Sequence, residues 1–190
     1  MHYVRQYMRF AVATILLALS MVAGASAQLR TSNYRSIDSL ASRIAASPNV
    51  TVNSAVRSLA ELCKTDVQRA RAAYSFTASY LLYSPTEVAS EPLTPDAPLS
   101  SVFGGKGMCG EYAALFNAVA AGLGLESVTV IGVAKGDGYL VGDSANNFGH
   151  AWNAVQVDGQ WRLLDCAWGS GLLAPPDGGV QPDYRPQITE

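Results

Sequence analysis

The sequence predicts an α+β fold in which N-terminal helices pack on a small antiparallel sheet. Helical periodicity is confined to the residues before Gly124, and β-branched or alternating runs follow it. The strongest local signal is the Asp-Gly pair at 158–159, which lies between two alternating runs and is typical of a two-residue hairpin. This separation of helices from strands favours α+β over an alternating fold with a parallel sheet.

The first 27 residues have the pattern of a signal peptide. Arginines precede an unbroken apolar run, and the tripeptide ASA at 25–27 supplies small residues for cleavage. An uncleaved membrane anchor is the alternative, although the run is shorter than the ~20 apolar residues that a membrane span needs. We therefore expect an exported protein, periplasmic or secreted, without stable membrane insertion after leader removal. The predicted divisions are the signal peptide at 1–27, a helical segment at 28–64 and the main domain at 65–190.

The composition argues against a nucleic-acid partner and against a metal site. The chain has 13 Lys and Arg residues against 15 Asp and Glu residues, and it loses Arg5 and Arg9 with the leader. No basic stripe remains to attract a phosphate backbone. Cys63, Cys109 and Cys166 lack the spacing of a zinc site, and the acidic residues form no calcium-binding loop. We expect no metal and no organic cofactor, and the sequence leaves the oligomeric state open.

Four main helices are predicted from periodicity and capping signals. The third begins at Thr65 or Asp66 and ends before Pro85, and the fourth spans 109–121. The proline-rich segment 84–101 between them is predicted as a loop, either a plain surface connection or a flap beside a site. The residues predicted to form the apolar faces of the first, second and fourth helices are Ile37, Leu40 and Ile44; Val56, Leu59 and Leu62; and Tyr112, Leu115, Phe116 and Val119.

The strands are predicted in the last third of the chain. Residues 126–134 are rich in β-branched side chains, and residues 150–165 form the two arms of the hairpin. A further short strand is possible at 139–141, and the loop at 136–149 could line a substrate groove because it immediately precedes a histidine. The tail after the hairpin is rich in Pro and Gly and is predicted to be irregular.

The hairpin register predicts a histidine and a carboxylate on one face. A turn at 158–159 places Val157 opposite Gln160, so that His150 and Asp165 lie on the same face with Trp152 and Ala167. The first two form a diagonal pair about 7–8 Å apart at the backbone, and a slip of one residue would separate them. A histidine near a hairpin is by itself more often a core or solvent-exposed residue.

Cys109 stands where a glycine-rich turn enters the fourth helix, and it could be a buried filler, half of a disulfide or a nucleophile. The free N–H groups and the dipole of a helix start favour a thiolate and point where an oxyanion would form. Gly107 and its neighbouring glycines would let a substrate backbone approach the sulfur. With His150 as the base and Asp165 as its orienting acid, the parts of an acyl-transfer site are present. Trp152 is predicted to line the substrate pocket.

Three sequence blocks resemble the transglutaminase-like core, in particular the bacterial branch akin to the kyphoscoliosis peptidase domain. The blocks are GMCGEYA at 107–113, HAWNAV at 150–155 and WRLLDCAWG at 161–169. They follow the family's order and are near its spacing. The resemblance implies a papain-like fold with Cys109 as the nucleophile, His150 as the base and Asp165 as the orienting acid.

The resemblance implies a cysteine enzyme acting on peptide or protein amide bonds, either a peptidase or a transglutaminase or deamidase. We favour hydrolysis over amine transfer because no amine site or calcium cluster is evident. A cell-wall peptide hydrolase would share the chemistry, and a non-catalytic interaction module that retains the triad is the alternative. The chain ends soon after the last block, so it is a minimal or a truncated member. Cys166 stands where the family usually has a small residue or a proline. A Cys63–Cys166 disulfide would explain why the odd number of cysteines leaves Cys109 free, and two independent buried thiols are the alternative.

Overall fold

A computed structural model describes residues 34–84, 89, 92–135, 140–142, 144 and 149–171. The predicted signal peptide and the predicted irregular tail after residue 171 lie outside this part of the chain, so the leader and the proposed domain boundaries stay predictions. The chain divides into a short unit, Met1–Ser36, and a main unit, Ile37–Glu190, and the description below concerns the second. Within the described residues, no helix has the length and apolarity that a membrane crossing requires.

The described residues form helices and strands in the order that the sequence predicts, with four short additions, namely two helices and two strands. The helices are α1 (34–45), α2 (Val52–Ala60), α3 (Asp66–Tyr80), α4 (Leu99–Phe103), α5 (Cys109–Gly122) and α6 (Cys166–Gly169). The strands are β1 (Leu82–Tyr83), β2 (Lys106–Gly107), β3 (Ser127–Val133), β4 (Gly149–Val157) and β5 (Gln160–Leu164).

Reciprocal capping sets the beginnings of α2 and α3. The Thr51 hydroxyl accepts a hydrogen bond from the Ser54 N–H at 3.0 Å, and the Ser54 hydroxyl accepts one from the Thr51 N–H at 2.9 Å. Thr65 and Gln68 repeat this arrangement at the start of α3, so Thr65 is the cap among the two predicted candidates. These bonds satisfy N–H groups that have no partner within the helix.

The main sheet is antiparallel, with the strand order β3-β4-β5. Asp158 and Gly159 form its hairpin turn and both have positive φ, 51° and 74°, as a type I′ turn requires. The register runs from Val157 opposite Gln160 to Asn153 opposite Leu164, as predicted. The α+β class with a small antiparallel sheet is therefore confirmed.

Helix α5 lies at the centre of the main unit and packs on β4, on α3 and on α2. Its predicted apolar face is fully buried, because Tyr112, Leu115, Phe116 and Val119 are each at most 1% exposed. At its other end Gly122 allows a close approach to α2, since a Cβ there would lie 2.6 Å from a methyl carbon of Val56. The central helix is thus held on several sides.

Several local predictions were wrong. Val141 lies in a turn and Leu140 has no regular secondary structure, so neither belongs to a strand, and Tyr139 falls outside the described residues. The segment predicted as a loop at 84–101 contains the beginning of α4, which is anchored by the Leu99 N–H on the Val50 carbonyl at 2.8 Å. Six of the 18 residues of the possible flap at 84–101, and most residues of the possible groove loop at 136–149, lie outside the described part of the chain, so both roles stay predictions.

The far end of the hairpin also differs from the prediction. Strand pairing stops at Leu164, so Asp165 and Ala167 are not strand partners of Trp152 and His150. The chain turns there into α6 because the Asp165 carboxylate caps a helical turn.

Candidate active site

A glycine turn and a carboxylate cap place Cys109 at the first position of α5. Gly104 and Gly105 have positive φ, 59° and 77°, and turn the chain from α4 into β2. The Glu111 carboxylate accepts a hydrogen bond from the Met108 N–H at 3.0 Å and so closes the start of α5. Glu111 is therefore the residue that caps the start of α5. Cys109 is a free thiol and is partly exposed.

Gly107 is buried in β2, two residues before the thiol. A Cβ at this position would lie 2.6 Å from the Cβ of Glu111 and 3.7 Å from a methyl carbon of Leu81. Close packing therefore requires glycine at this position, because a side chain would displace Glu111, the residue that caps α5. Its predicted contact with substrate stays a prediction.

The short parallel pair β1–β2 brings a phenol to the site. Tyr83 pairs with Gly107, and the Leu82 N–H donates to the Gly105 carbonyl at 2.9 Å. Burial raises the pKa of Tyr83, and the negative charges of Cys109, Asp165 and Glu111 raise it further, in that order. The phenol of Tyr83 is therefore within electrostatic reach of all three acidic groups. No local sequence pattern predicts this position of Tyr83, because a two-residue parallel pairing is too short to leave one.

The base and the acid predicted from the hairpin are in direct contact. His150 Nε2 lies 2.6 Å from Asp165 Oδ2, and their side chains are 8% and 22% exposed. The other carboxylate oxygen, Oδ1, accepts a hydrogen bond from the Trp168 N–H at 2.9 Å. With a hydrogen on Nε2 donated to the carboxylate, Nδ1 is the ring nitrogen that remains to exchange a proton.

Two indoles stack on the imidazole of His150. The ring centroid of Trp168 is 4.8 Å away, and that of Trp152 is 5.8 Å away. A Cβ at Gly132, which pairs with His150, would lie 2.7 Å from the Trp152 ring. Trp152 thus lies over the bare backbone of β3, and its predicted contact with substrate stays a prediction. Trp168 is 54% exposed and Trp161 49%, so neither is a core residue.

The thiol and the imidazole lie towards the same end of the domain. Asn153 of β4 hydrogen-bonds the carbonyl of Ala113 near the start of α5, and the Gln156 N–H reaches the carbonyl of Glu126 just after its end. The helix and the strand therefore run in the same direction. Cys109 is one turn before Ala113, and His150 is three residues before Asn153, so both precede this contact.

The other two cysteines are separate thiols, so the Cys63–Cys166 disulfide hypothesis is wrong and the alternative of two buried thiols holds. Cys63 donates to the Gln68 carbonyl at 3.4 Å, whereas α6 packs on Tyr74, about 9 Å further along α3 at 1.5 Å per residue. Burial raises the pKa of the Cys63 thiol and raises that of Cys166 strongly. Both thiols are therefore poor nucleophiles. No group of side chains suited to a metal ion occurs among the described residues.

Comparison with known proteins agrees with this arrangement of elements. The family model described as "Transglutaminase-like superfamily" matches residues 53–166. The chain belongs to the transglutaminase-like superfamily. The match runs from α2 to the residue after Asp165, so this transglutaminase-like domain contains all three residues of the predicted triad. The family resemblance drawn from the three sequence blocks is confirmed.

Several named relatives of this transglutaminase-like domain are much longer proteins. Kyphoscoliosis peptidase from Mus musculus is 32% identical over 141 residues, which is 74% of this chain and 21% of that protein. "Lim and transglutaminase domain protein ltd-1" from Caenorhabditis elegans is 30% identical over 165 residues, 81% of this chain and 22% of that protein. Hillarin from Drosophila melanogaster is 30% identical over 142 residues, which is 74% of this chain and 17% of that protein. The chain spans about a fifth of the length of these relatives.

Proposed function

We propose that this transglutaminase-like domain is a cysteine enzyme that transfers the acyl group of a peptide or protein amide. Cys109 is the nucleophile, His150 the general base and acid, and Asp165 the orienting carboxylate. The observation that carries the proposal is the 2.6 Å contact between His150 Nε2 and Asp165 Oδ2. In this proposal the carboxylate holds the hydrogen on Nε2 and leaves Nδ1 for the sulfur, which is the role of the acid in a catalytic triad.

The reaction follows from these roles. His150 Nδ1 takes the Cys109 proton, and the sulfur attacks the amide carbon to give a tetrahedral oxyanion, which the first N–H groups of α5 stabilise. The C–N bond breaks as the imidazolium returns the proton to the leaving amine, and a thioester remains. Water, activated by the same nitrogen, then releases a carboxylic acid and restores the thiol. An amine in place of water would give a cross-link, and we favour water.

The proposed partner is a peptide or protein substrate, bound beside Gly107 and Trp152. The acidic chain gives no basis for nucleic-acid binding. We propose an exported protein, periplasmic or secreted, on the strength of the apolar leader pattern alone.

A first experiment tests whether Cys109 is activated. We expect iodoacetamide to alkylate Cys109 at pH 7 at least about tenfold faster than it alkylates a free cysteine peptide, because a paired thiolate is the reactive form. His150→Ala should remove this advantage. The native protein should incorporate one label, since Cys63 and Cys166 are buried. Peptide mapping assigns the label, and a rate equal to that of the free peptide would contradict the proposal.

A second experiment identifies the reaction. The protein is incubated with a peptide library and a labelled primary amine, and mass shifts distinguish cleavage, deamidation and amine incorporation. Cys109→Ala is the control that should abolish every shift. Asp165→Asn keeps an oxygen that can cap α6 and removes the charge beside His150, so it should fold and lose most activity.

The alternative function is a non-catalytic interaction module, and the surface of the sheet favours it in one respect. Val128, Ala154 and Leu163 form a row across the sheet face that also carries Trp152, because they pair in register. Val128 is 47% exposed and Leu163 72%. An exposed apolar surface of this kind is common at interaction sites. Alkylation of Cys109 no faster than that of a free peptide would favour this reading.

A further inference from the structure

A buried polar contact joins the strand of the proposed base to the helix of the proposed nucleophile. The side-chain amide of Asn153 donates to the Ala113 carbonyl at 3.1 Å and to the Asn117 side-chain oxygen at 2.9 Å. The Asn117 amide in turn donates to the Thr129 hydroxyl at 2.9 Å. Two asparagines thus connect β4, α5 and β3 in one chain of hydrogen bonds, and this chain also fixes which way each amide points.

Asn153 occupies a buried position where a well-packed apolar residue would give greater stability. It is 1% exposed, and Val155 and Val157 on the same strand face are buried with it. Its side-chain oxygen, Oδ1, is a buried acceptor with no hydrogen-bond partner among the described residues. A buried polar group that is incompletely satisfied is destabilising relative to a well-packed hydrophobe. Stability alone therefore gives no reason for this amide.

The contact lies between the helix that carries the proposed nucleophile and the strand that carries the proposed base. Cys109 precedes Ala113 by one helical turn, about 6 Å along the axis, and His150 precedes Asn153 by about 10 Å of strand. Both directions lead to the same end of the domain, since α5 and β4 run in parallel. A hydrogen bond has a narrow range of acceptable distances and angles, whereas the attraction between apolar groups is non-directional.

We propose that Asn153 is a positioning residue that sets the placement of His150 relative to Cys109, by holding β4 on the first turns of α5. Asn117 supports it by holding the second acceptor in place. The inference rests on the proposed function, because it concerns the same thiol and imidazole. It differs from a purely structural role in one measurable respect: loss of the amide changes the reactivity of Cys109 beyond what an equal loss of stability would change.

The test compares two variants of neighbouring buried positions on β4. Asn153→Leu removes the amide and roughly keeps its volume, and Val155→Ala weakens the same interface without touching the hydrogen bonds. For each, the rate of Cys109 alkylation by iodoacetamide is measured from pH 5 to 10, beside the melting temperature. Both variants keep the titratable groups described around the sulfur and its proposed base, which are Tyr83, Glu111, His150 and Asp165.

We expect Asn153→Leu to lower the alkylation rate at pH 7 by about tenfold to a hundredfold, because a displacement of about 1 Å can have that effect. Its rate should rejoin the wild-type rate at alkaline pH, where the thiolate forms without help. Val155→Ala should melt at a lower temperature and keep the wild-type profile. A wild-type profile in a folded Asn153→Leu variant, or an equal change in both variants, would overturn the positioning role.

Asn117→Ala keeps the test decisive if Asn153→Leu does not fold. It leaves the bond from Asn153 to the Ala113 carbonyl and removes the other acceptor, so we expect a smaller fall in the rate at pH 7. An unchanged rate would then overturn the inference. Failure of the proposed function looks different, because the wild-type protein and His150→Ala would then share the profile of a free cysteine peptide.

Discussion

Glycine at position 132 is required by the aromatic ring that lies over it. A Cβ there would be 2.7 Å from the Trp152 ring, and this ring stacks on His150. We predict that Gly132→Ala lowers the free energy of unfolding by about 1 kcal/mol through overpacking, although alanine is ordinarily the better strand residue. The displaced indole should also slow the alkylation of Cys109 at pH 7. Chemical denaturation and the iodoacetamide assay measure the two effects.

The matched control for this prediction is Gly149→Ala. Gly149 precedes His150 on the neighbouring strand, and nothing lies within 4 Å of a Cβ built there. The same change should therefore raise the free energy of unfolding by about 0.5 kcal/mol, because the unfolded chain loses conformational freedom. Equal effects at the two positions would contradict the explanation based on Trp152.

At the scale of elements, the hydroxyl of Tyr112 joins three segments around α5. It donates to the Leu81 carbonyl at 2.5 Å and accepts from the Ser170 hydroxyl at 3.0 Å, so it ties the end of α3 and the end of α6 to the central helix. We predict that Tyr112→Phe lowers the free energy of unfolding by about 1–2 kcal/mol, because a buried carbonyl loses its donor. Thermal and chemical denaturation test this.

Tyr80→Phe is the comparison for Tyr112→Phe. The ring of Tyr80 stacks on Phe76 at 5.9 Å, and its hydroxyl makes no hydrogen bond to the part of the chain that the structure describes. Removing that hydroxyl should change stability by less than about 0.5 kcal/mol. A loss as large as that of Tyr112→Phe would mean that the network around Tyr112 is not the cause.

The elements that sequence analysis predicted correctly are those with strong local signals. The apolar face of α5, the cap at Thr65 and the type I′ turn at 158–159 each depend on residues close together in the chain. The hairpin register follows from the turn, and it brought His150 and Asp165 close enough to be recognised as a pair. Local chemistry was sufficient for these features.

The missed elements depend on contacts distant in sequence. The β1–β2 pair joins Tyr83 to Gly107 across the proline-rich segment, and two residues are too few to show an alternating pattern. Helix α6 has only four residues, which are too few to show a helical periodicity, and its capping residue Asp165 is also the partner of His150, which is distant in sequence. The roles of Asn153 and Tyr112 were likewise invisible, because a buried amide or phenol reads as an ordinary polar or apolar position until its partner is known.

At the scale of the whole molecule, buried acidic groups make the stability of the fold depend on pH in the alkaline range. Burial raises the pKa of Cys166 well above the ordinary thiol value of 9.0, and it also raises those of Cys63, Tyr80 and Tyr83. The unfolded chain releases these protons at lower pH than the folded protein does. The stability that they contribute is therefore complete below about pH 9 and is lost as the pH rises through the raised values.

We predict a fall in melting temperature that begins near pH 9 and steepens above it. Cys166→Ala removes the thiol with the most strongly raised pKa, so its melting temperature should depend less on pH between 9 and 10.5, whatever its value at pH 7. Calorimetry across this range measures both slopes. Equal slopes for the two proteins would contradict the prediction, because Cys166 would then have the same protonation in the folded and the unfolded state.

The carboxylate of Asp165 serves two hydrogen bonds at once, one to the Trp168 N–H and one to the His150 ring. Its rotamer is therefore selected while the chain folds, by the geometry of a helical turn. The entropic penalty of immobilising the acid is therefore met during folding, and the imidazole encounters an acceptor that is already preorganised. Under the proposed function, substitutions at this position should consequently divide into those that lose the cap and lower stability and those that keep the cap and lower activity, with asparagine in the second group.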